Sequence, residues 1–218
     1  MIPFAARAVT FDVAGTLLHP AEPVAQVYAR FAARCGCGRD EVEIGRAFGA
    51  AMRDARALRV SDPTWRKFWA HVVAHATGCH APTLVDELYD HYAELDAWRL
   101  GADTFAWLDA VRDGGARIGV ISNWDTRLRA LLDGLGVLER LDVLVVSGEL
   151  GIEKPDRRIF EHAARELGVQ IAEMIHVGND PHDDIDGARA AGARGVHIDD
   201  ARDLIAHARW MRPDTTRA

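Results

Sequence analysis

The chain has 218 residues, of which 49% are hydrophobic and 27% charged, and its formal net charge at pH 7 is −7. This length suits one complete core with a smaller second domain, and the acidic balance argues against general binding to nucleic acids or anionic membranes. No basic leader precedes an apolar run, and no apolar stretch approaches the ~20 residues that cross a bilayer. We therefore expect a cytoplasmic protein without membrane contact.

The first predicted element is a strand that ends in an acid. Ala8–Phe11 consists of apolar and β-branched residues, which predicts a buried strand, and Asp12 follows it directly. Gly15 and Thr16 then predict a sharp turn. A carboxylate at the end of a buried strand is costly unless a cation, backbone N–H groups or a substrate binds it. Asp12 is thus a candidate functional residue, with helix capping as the alternative.

The next part of the chain has helical periodicity and no strand pattern. Apolar residues of Val24–Phe31 fall at i, i+3, i+4 and i+7, on one helical face. Three further helices are predicted, from Asp40 to about Leu58, from Asp62 onwards, and from Pro82 to about Leu95. We assign residues 20–99 to a helical insert.

After Gly101 short apolar strands alternate with helices. The predicted strands are Arg117–Ile121, Asp142–Val146, Met174–Val177 and Gly195–Ile198, and a last helix is predicted after them. This alternation predicts an α/β fold with a doubly wound parallel sheet that helices cover on both faces. Residues 1–19 and 100–218 would form this core, into which the helical insert is placed.

The chain has three cysteines, Cys35, Cys37 and Cys79. Their small, odd number argues against a disulfide framework, and their spacing lacks the paired pattern of structural zinc sites. We expect buried or half-buried free thiols.

Polar residues follow four of the predicted strands. Ser122 and Asn123 end the second strand, Asn179 and Asp180 follow the fourth with Asp184 close behind, Lys154 lies in the connection after the third, and Asp12 ends the first. Each residue alone is explained by a helix cap or a solvated surface. Because the carboxyl ends of parallel strands meet at one edge of a sheet, the set together predicts a ligand site there.

These residues suit the transfer of a group onto a carboxylate. Asp12 would be the nucleophile and would form a covalent intermediate that water hydrolyses in a second step. Ser122 and nearby backbone N–H groups would hold substrate oxygens, and Lys154 would neutralise negative charge. Asp180 or Asp184 would help to hold Mg²⁺, which prefers oxygen ligands.

Four ordered segments resemble the motifs of the haloacid dehalogenase-like (HAD) hydrolases. They are Phe11–Leu17, Ile121–Asn123, Lys154–Phe160 and His176–Gly192. The resemblance implies a Rossmann-like core, an aspartyl nucleophile, a helical type-1 cap formed by the insert and, in most members, Mg²⁺-dependent hydrolysis of a small phosphorylated metabolite. The implied catalytic residues are Asp12, Ser122 and Lys154, the substrate-binding residues Ser122, Asn123 and Thr16, and the metal-binding residues Asp12, Ala14, Asn179, Asp180 and Asp184.

Two positions depart from the family pattern. The phosphatases have a second acid two residues after the nucleophile, which protonates the leaving group and then activates water, whereas this chain has Ala14. Loss of one general acid–base group typically lowers a rate by ~10²–10⁴. The first acid of the fourth motif is replaced by Asn179, whose amide binds Mg²⁺ less strongly than a carboxylate does. Ala14 still offers its backbone carbonyl to a metal, Asp180 is the candidate substitute for the missing acid, and Asp184 matches the second acid of the motif.

Three functional interpretations therefore stay open. The first is a weak Mg²⁺-dependent phosphatase, in which His19 is a candidate replacement acid or else a solvated residue. The second is a metal-independent 2-haloacid dehalogenase, since those family members also lack the second acid and a halide leaves without a proton; Arg46 and Arg53 are its candidate substrate arginines. The third is a binding protein with little or no activity.

Overall fold

The structure is a computed structural model and describes residues 6–59 and 62–200. Its strands are Ala8–Phe11 (β1), Leu18–Pro20 (β2), Trp98–Leu100 (β3), Arg117–Ser122 (β4), Val143–Val146 (β5), Met174–Gly178 (β6) and Arg194–His197 (β7). Five of them form one parallel sheet in the order β5-β4-β1-β6-β7. The predicted doubly wound, Rossmann-like α/β fold is confirmed.

Helices fill the connections between these strands. They are Val24–Arg34 (α1), Glu41–Asp54 (α2), Arg66–Thr77 (α3), Pro82–His91 (α4), Thr104–Asp113 (α5), Leu128–Gly134 (α6), Ser147–Leu150 (α7), Arg157–Glu166 (α8) and Gly187–Ala191 (α9). Two shorter turns matter below, a 3₁₀ turn at Arg56–Leu58 and a π-helical turn at Pro181–Asp186.

The sheet is buried on both faces because apolar helices cover each of them. On one face Leu108 of α5 and Leu128 of α6 pack against Phe11 of β1. On the other face Phe160 of α8 and Ala188 of α9 form a second apolar cluster. The central strand β1 pairs with β4 on one side and β6 on the other, so the residues that end these three strands lie side by side.

Helices α1 to α4 lie between β2 and β3 and form the helical insert. Their apolar faces pack in two clusters, which contain Tyr28, Val73 and Leu88, and Trp65 and Phe68, respectively. The antiparallel pairing of β2 with β3, with Leu18 opposite Leu100, joins the two ends of the insert. The sequence analysis missed this ribbon, because three-residue strands carry too little alternation to be recognised.

The third insert helix begins later than the sequence predicts. Asp62 was expected to cap it, but the Asp62 carboxylate accepts hydrogen bonds from the backbone N–H and the hydroxyl of Thr64. Trp65 then takes a left-handed conformation with φ 53°, which few non-glycine residues adopt. The helix starts at Arg66, after this turn.

The cysteine expectation is wrong for two of the three residues. Cys37 and Cys79 form a disulfide, and their Cα atoms are 5.8 Å apart, within the normal range for such a bond. Cys37 follows α1 and Cys79 follows α3, so only the packing of these helices brings the two thiols together. Cys35 is a half-buried free thiol.

The helix predicted after Ile198 falls mainly on residues 201–218, which lie outside the described part of the chain. Among the helices of residues 6–59 and 62–200, none has the length and apolarity that a membrane span requires.

Candidate active site

Three predicted catalytic residues meet at the carboxyl edge of the sheet. The Ser122 hydroxyl donates a hydrogen bond to Asp12 Oδ1 over 3.1 Å, and the Lys154 Nζ donates to the same oxygen over 2.7 Å. Asp12, Ser122 and Lys154 are 7%, 1% and 2% exposed, respectively. Both hydrogen bonds are made to Oδ1, so within this trio Oδ2 is the carboxylate oxygen that is left to react.

Lys154 is shared between two carboxylates. Its Nζ also donates to Asp184 Oδ1 over 2.5 Å, in a position where the lysine is almost completely shielded from water. Burial alone would lower the pKa of Lys154, but the charges of Asp12 and Asp184 outweigh it, and the pKa is raised. The lysine therefore stays charged throughout the neutral range.

The two carboxylates are held in different electrostatic states. Burial raises the pKa of Asp12, Lys154 opposes this effect, and the negative charge of Asp184 adds to it, with a net rise. Burial would also raise the pKa of Asp184, but its hydrogen bonds from His176 and Lys154 outweigh the burial and lower the pKa. Asp12 is thus more basic than an ordinary aspartate, which suits a nucleophile, and Asp184 is a permanent counter-charge for the lysine.

A buried histidine, His176, contacts Asp184 and stabilises its negative charge. The sequence analysis assigned this residue no role. His176 Nε2 lies 3.2 Å from Asp184 Oδ1, and its Nδ1 lies 2.9 Å from the Thr10 hydroxyl. Because Asp184 is ionised, we assign the ring proton to Nε2, so that Nδ1 accepts from Thr10. The sequence clue was a histidine within the apolar strand β6, which must find polar partners if it is buried.

Asn123 was predicted to bind substrate, and in the structure its side chain binds the backbone of Lys154. Its Oδ1 accepts the Lys154 backbone N–H over 2.7 Å, and its Nδ2 donates to the Lys154 carbonyl over 3.0 Å. The same Nδ2 donates to Asp183 Oδ2 over 3.2 Å. Both backbone polar groups of Lys154 are therefore bound by one side chain.

Thr16 and Asn179 lie together at the turn that follows Asp12. The buried Thr16 hydroxyl donates to Asn179 Oδ1 over 3.4 Å. Gly15 has φ +80°, and a Cβ at this position would lie 2.7 Å from Asn179 Nδ2. Only glycine fits there, so the turn after Asp12 and the loop after β6 pack directly on each other.

Asp184 binds protein groups through both of its carboxylate oxygens, and Asp180 does so through one. Asp180 is exposed, and its Oδ1 accepts the backbone N–H groups of His182 and Asp183 over 2.8 and 2.7 Å. Asp184 Oδ1 is bound by Lys154 and His176, and its Oδ2 accepts the Asp180 backbone N–H over 2.9 Å. A Cβ on Gly178 would lie 2.2 Å from Asp184 Oδ2, so a glycine is required for this carboxylate to enter the site.

Neither Ala14, where the second acid is missing, nor His19, the candidate replacement, makes a hydrogen bond to Asp12. Ala14 is exposed and carries only a methyl group. His19 lies on β2 and lines a cavity of about 210 Å³ with Gly15 and Thr16, and burial followed by the charge of Arg99 lowers its pKa. Within the described residues, no carboxyl or imidazole group makes a hydrogen bond to Asp12.

Comparison with known proteins gives consistent matches. A family model described as haloacid dehalogenase-like hydrolase matches residues 6–192. The "Haloacid dehalogenase-like hydrolase domain-containing protein 3" of Mus musculus is 32% identical over 203 residues, which are 85% of this chain and 79% of the relative. The phosphoserine phosphatase of Thermus thermophilus is 33% identical over 140 residues, 63% of this chain and 53% of that protein. The solved 2-haloacid dehalogenase of Pseudomonas syringae pv. Tomato has a TM-score of 0.56 and 27% identity, with 87% of this chain and 84% of that chain covered.

Proposed function

The chain belongs to the haloacid dehalogenase-like hydrolase family, and on this premise we propose that it hydrolyses a small phosphate ester with Asp12 as its nucleophile. The observation that carries the proposal is the contact of 2.7 Å between Lys154 Nζ and Asp12 Oδ1 in a buried site. A buried cation beside a nucleophilic oxygen favours an anionic substrate such as a phosphate ester. The similarity to a phosphoserine phosphatase supports the same substrate class.

In the proposed reaction Asp12 Oδ2 attacks the phosphorus atom, and the bond between phosphorus and the ester oxygen breaks. The departing alkoxide takes a proton from solvent, because the methyl group of Ala14 cannot supply one. Lys154 and the Ser122 hydroxyl lie where they can bind the charge that collects on the transferred group. Water then attacks the phosphorus, which releases inorganic phosphate and restores the Asp12 carboxylate.

The oxygens around the nucleophile turn fit a weakly held Mg²⁺. We propose that Asp12, the Ala14 carbonyl and the Asn179 side chain would hold it, with the second oxygen of Asp180 as a further candidate, because both oxygens of Asp184 are already bound within the protein. A donor set with a single carboxylate is compatible with Mg²⁺, which commonly completes its shell with water and substrate phosphate. When bound, the ion would supply charge neutralisation for the phosphoryl group.

We propose that the helical insert acts as a cap over this site. Trp69 Nε1 of α3 donates to Asp125 Oδ2 over 3.0 Å, and Arg127 donates to the Tyr89 carbonyl over 2.5 Å. Asp125 is fully buried by these contacts, so the insert excludes water from the surface just after Asn123. Such a lid selects the substrate and protects the reaction from side reactions.

The proposal is tested by phosphate release from p-nitrophenyl phosphate and a panel of small phosphate monoesters. We expect slow release that requires Mg²⁺ and stops when a chelator removes it. The measurement is inorganic phosphate as a function of time, with enzyme omitted as the control. Absence of phosphate release from every ester in the presence of Mg²⁺ would overturn the proposal.

Restoring an acid at position 14 is expected to raise this activity. Ala14 is exposed, so Ala14→Asp adds a carboxyl group next to the nucleophile turn without a steric cost. A general acid–base group contributes about 10²–10⁴ in rate, and we expect kcat to rise by about 10²-fold. Steady-state phosphate release checks this, with Ala50→Asp on α2 as a control that adds the same charge on the surface of the insert. No gain in kcat would show that proton transfer does not limit the reaction.

A second candidate is 2-haloacid dehalogenation, favoured by the same methyl group at Ala14. A halide leaves without a proton, so this reaction loses nothing from the missing acid, and one similar solved structure is a 2-haloacid dehalogenase. The expected substrate arginines Arg46 and Arg53 are both exposed on α2, which speaks against it. Chloride release from 2-chloropropionate in the presence of a chelator would establish this activity, and its absence would exclude it for that substrate.

A further inference from the structure

A single arginine of the helical insert reaches across to the backbone of the catalytic lysine. Arg56 begins the 3₁₀ turn that follows α2, and its NH2 group donates to the Lys154 carbonyl over 2.6 Å. Its Nε donates to Glu153 Oε1 over 2.7 Å, and its NH2 group also lies 3.1 Å from both carboxylate oxygens of Asp183. Three acceptors from two separate loops of the core therefore meet on one guanidinium.

Arg56 shares its acceptors with Asn123. Both side chains donate to the Lys154 carbonyl, and both donate to Asp183. A carbonyl oxygen accepts two hydrogen bonds, so this group is bound once from the core and once from the insert. Because Lys154 Nζ is divided between Asp12 and Asp184, a shift of the Lys154 backbone moves the ammonium group away from the nucleophile.

The charges around Arg56 favour the arrangement in which the helical insert lies against these core loops. Arg59 Nε lies 3.1 Å from Glu153 Oε2, so two insert arginines face two core carboxylates, whose side chains are only 16% (Glu153) and 19% (Asp183) exposed. If the insert moved away, both carboxylates would lose the arginines that now face them. They would also leave uncompensated negative charge beside Lys154 in one loop, since Glu153 precedes it, and beside Asp184 in the other, since Asp183 precedes it.

We propose that Arg56 is a positioning residue that makes the placement of Lys154 on Asp12 depend on closure of the helical insert. The inference rests on the proposed role of Asp12 and Lys154, because it assigns Arg56 a role in that same site. Arg56 holds Lys154 through its backbone, and the planar guanidinium is suited to this role since it binds several acceptors at once. The catalytic lysine is then in place only when the insert covers the substrate.

The first test needs no substrate, because the chain has only two lysines, Lys67 and Lys154. Lys154 is 2% exposed and Lys67 is exposed, so Lys67 serves as an internal reference. Acetylation of the full chain, followed by mass spectrometry of peptides, reports the modification of each lysine. We expect Lys154 to be protected in the wild type and modified faster in Arg56→Ala. The control Arg53→Ala removes an exposed arginine of α2 and should leave Lys154 protected.

The second test is kinetic and uses p-nitrophenyl phosphate. Misplacement of a catalytic group by about 1 Å can cost on the order of 100-fold in rate, so we expect kcat of Arg56→Ala to fall by that order while KM changes little. Arg56→Lys should recover part of this loss, since it keeps the charge but not the planar set of donors. Unchanged Lys154 labelling together with unchanged kcat would overturn the proposal. A rise in KM alone would also overturn it, because it would make Arg56 a substrate ligand.

The two tests separate this inference from the proposed function. If the wild type hydrolyses no phosphate ester, the proposed function fails, while the labelling of Lys154 still decides the role of Arg56. If the wild type is active and Arg56→Ala matches it in both tests, only the role of Arg56 is rejected. Melting temperatures of all variants establish that each compared chain is folded.

Discussion

Replacement of Asp12 by Asn is expected to lower kcat for phosphate ester hydrolysis by about 10⁴-fold or more, because it removes the attacking oxygen of a covalent mechanism. The substitution keeps the size of the side chain and its contact with Ser122. Initial rates of phosphate release measure the loss. Activity of Asp12→Asn within about 10-fold of the wild type would show that another residue is the nucleophile, given the ~10⁴-fold size of nucleophile effects.

Asp12→Asn should not destabilise the protein, which separates loss of chemistry from loss of folding. Burial raises the pKa of Asp12, so the folded state pays a cost to keep this carboxylate ionised at neutral pH. The neutral amide removes that cost, and Lys154 keeps Asp184 as its partner. The gain in the free energy of unfolding of Asp12→Asn over the wild type should shrink as the pH falls through the raised pKa of Asp12, because the wild-type carboxyl then becomes protonated. Urea unfolding of both proteins at a series of pH values, from neutral downwards, checks the sign.

Lys154→Met is the second change with a large expected effect, on both stability and activity. The lysine is 2% exposed and binds Asp12 and Asp184, so its loss leaves two buried carboxylates without their shared cation. Removal of one partner from a buried ion pair typically costs about 3–5 kcal/mol, and we expect the free energy of unfolding to fall by that amount. Activity should fall by about 10²–10³-fold, the loss seen when a group that stabilises transition-state charge is removed.

A double variant distinguishes these two effects of Lys154. Addition of Asp184→Asn to Lys154→Met removes one of the uncompensated carboxylates and should recover part of the stability while activity stays low. Lys67→Met is the matched control, since Lys67 is exposed and should change neither quantity. Full activity in a folded Lys154→Met protein would contradict the assigned role.

The sequence predicts the sheet, and much of the candidate site at its carboxyl edge, because both follow from local sequence patterns. The apolar strands β1 and β4 to β7 alternate with helices, and the carboxyl ends of parallel strands meet at one edge. That rule brings together Asp12 and Ser122, and the connection that leaves the same edge after β5 carries Lys154 to them. The absence of an acid at Ala14 is equally visible in the sequence.

The remaining features depend on packing between distant segments. The disulfide of Cys37 with Cys79 requires α1 and α3 to be neighbours, which no local pattern shows. His176 appears in the sequence as one polar residue in an apolar strand, and only the fold shows that Asp184 and Thr10 bind it. In the sequence Arg56 is one of several arginines of the insert, and only the folded structure shows that it contacts the loops of the core. The role of Asp180 as a metal ligand stays a prediction, and the structure adds that one oxygen of its carboxylate caps its own turn.

The central claim is that the Asp12 carboxylate forms a covalent bond to the transferred group. Since Ala14 cannot activate the water that breaks this bond, the intermediate should persist long enough to be trapped by rapid acid quenching. Peptide mass spectrometry of the wild type mixed with a phosphate ester should then find one added phosphoryl group on Asp12. A phosphoryl group on a different residue, or turnover without any modified Asp12, would contradict the account.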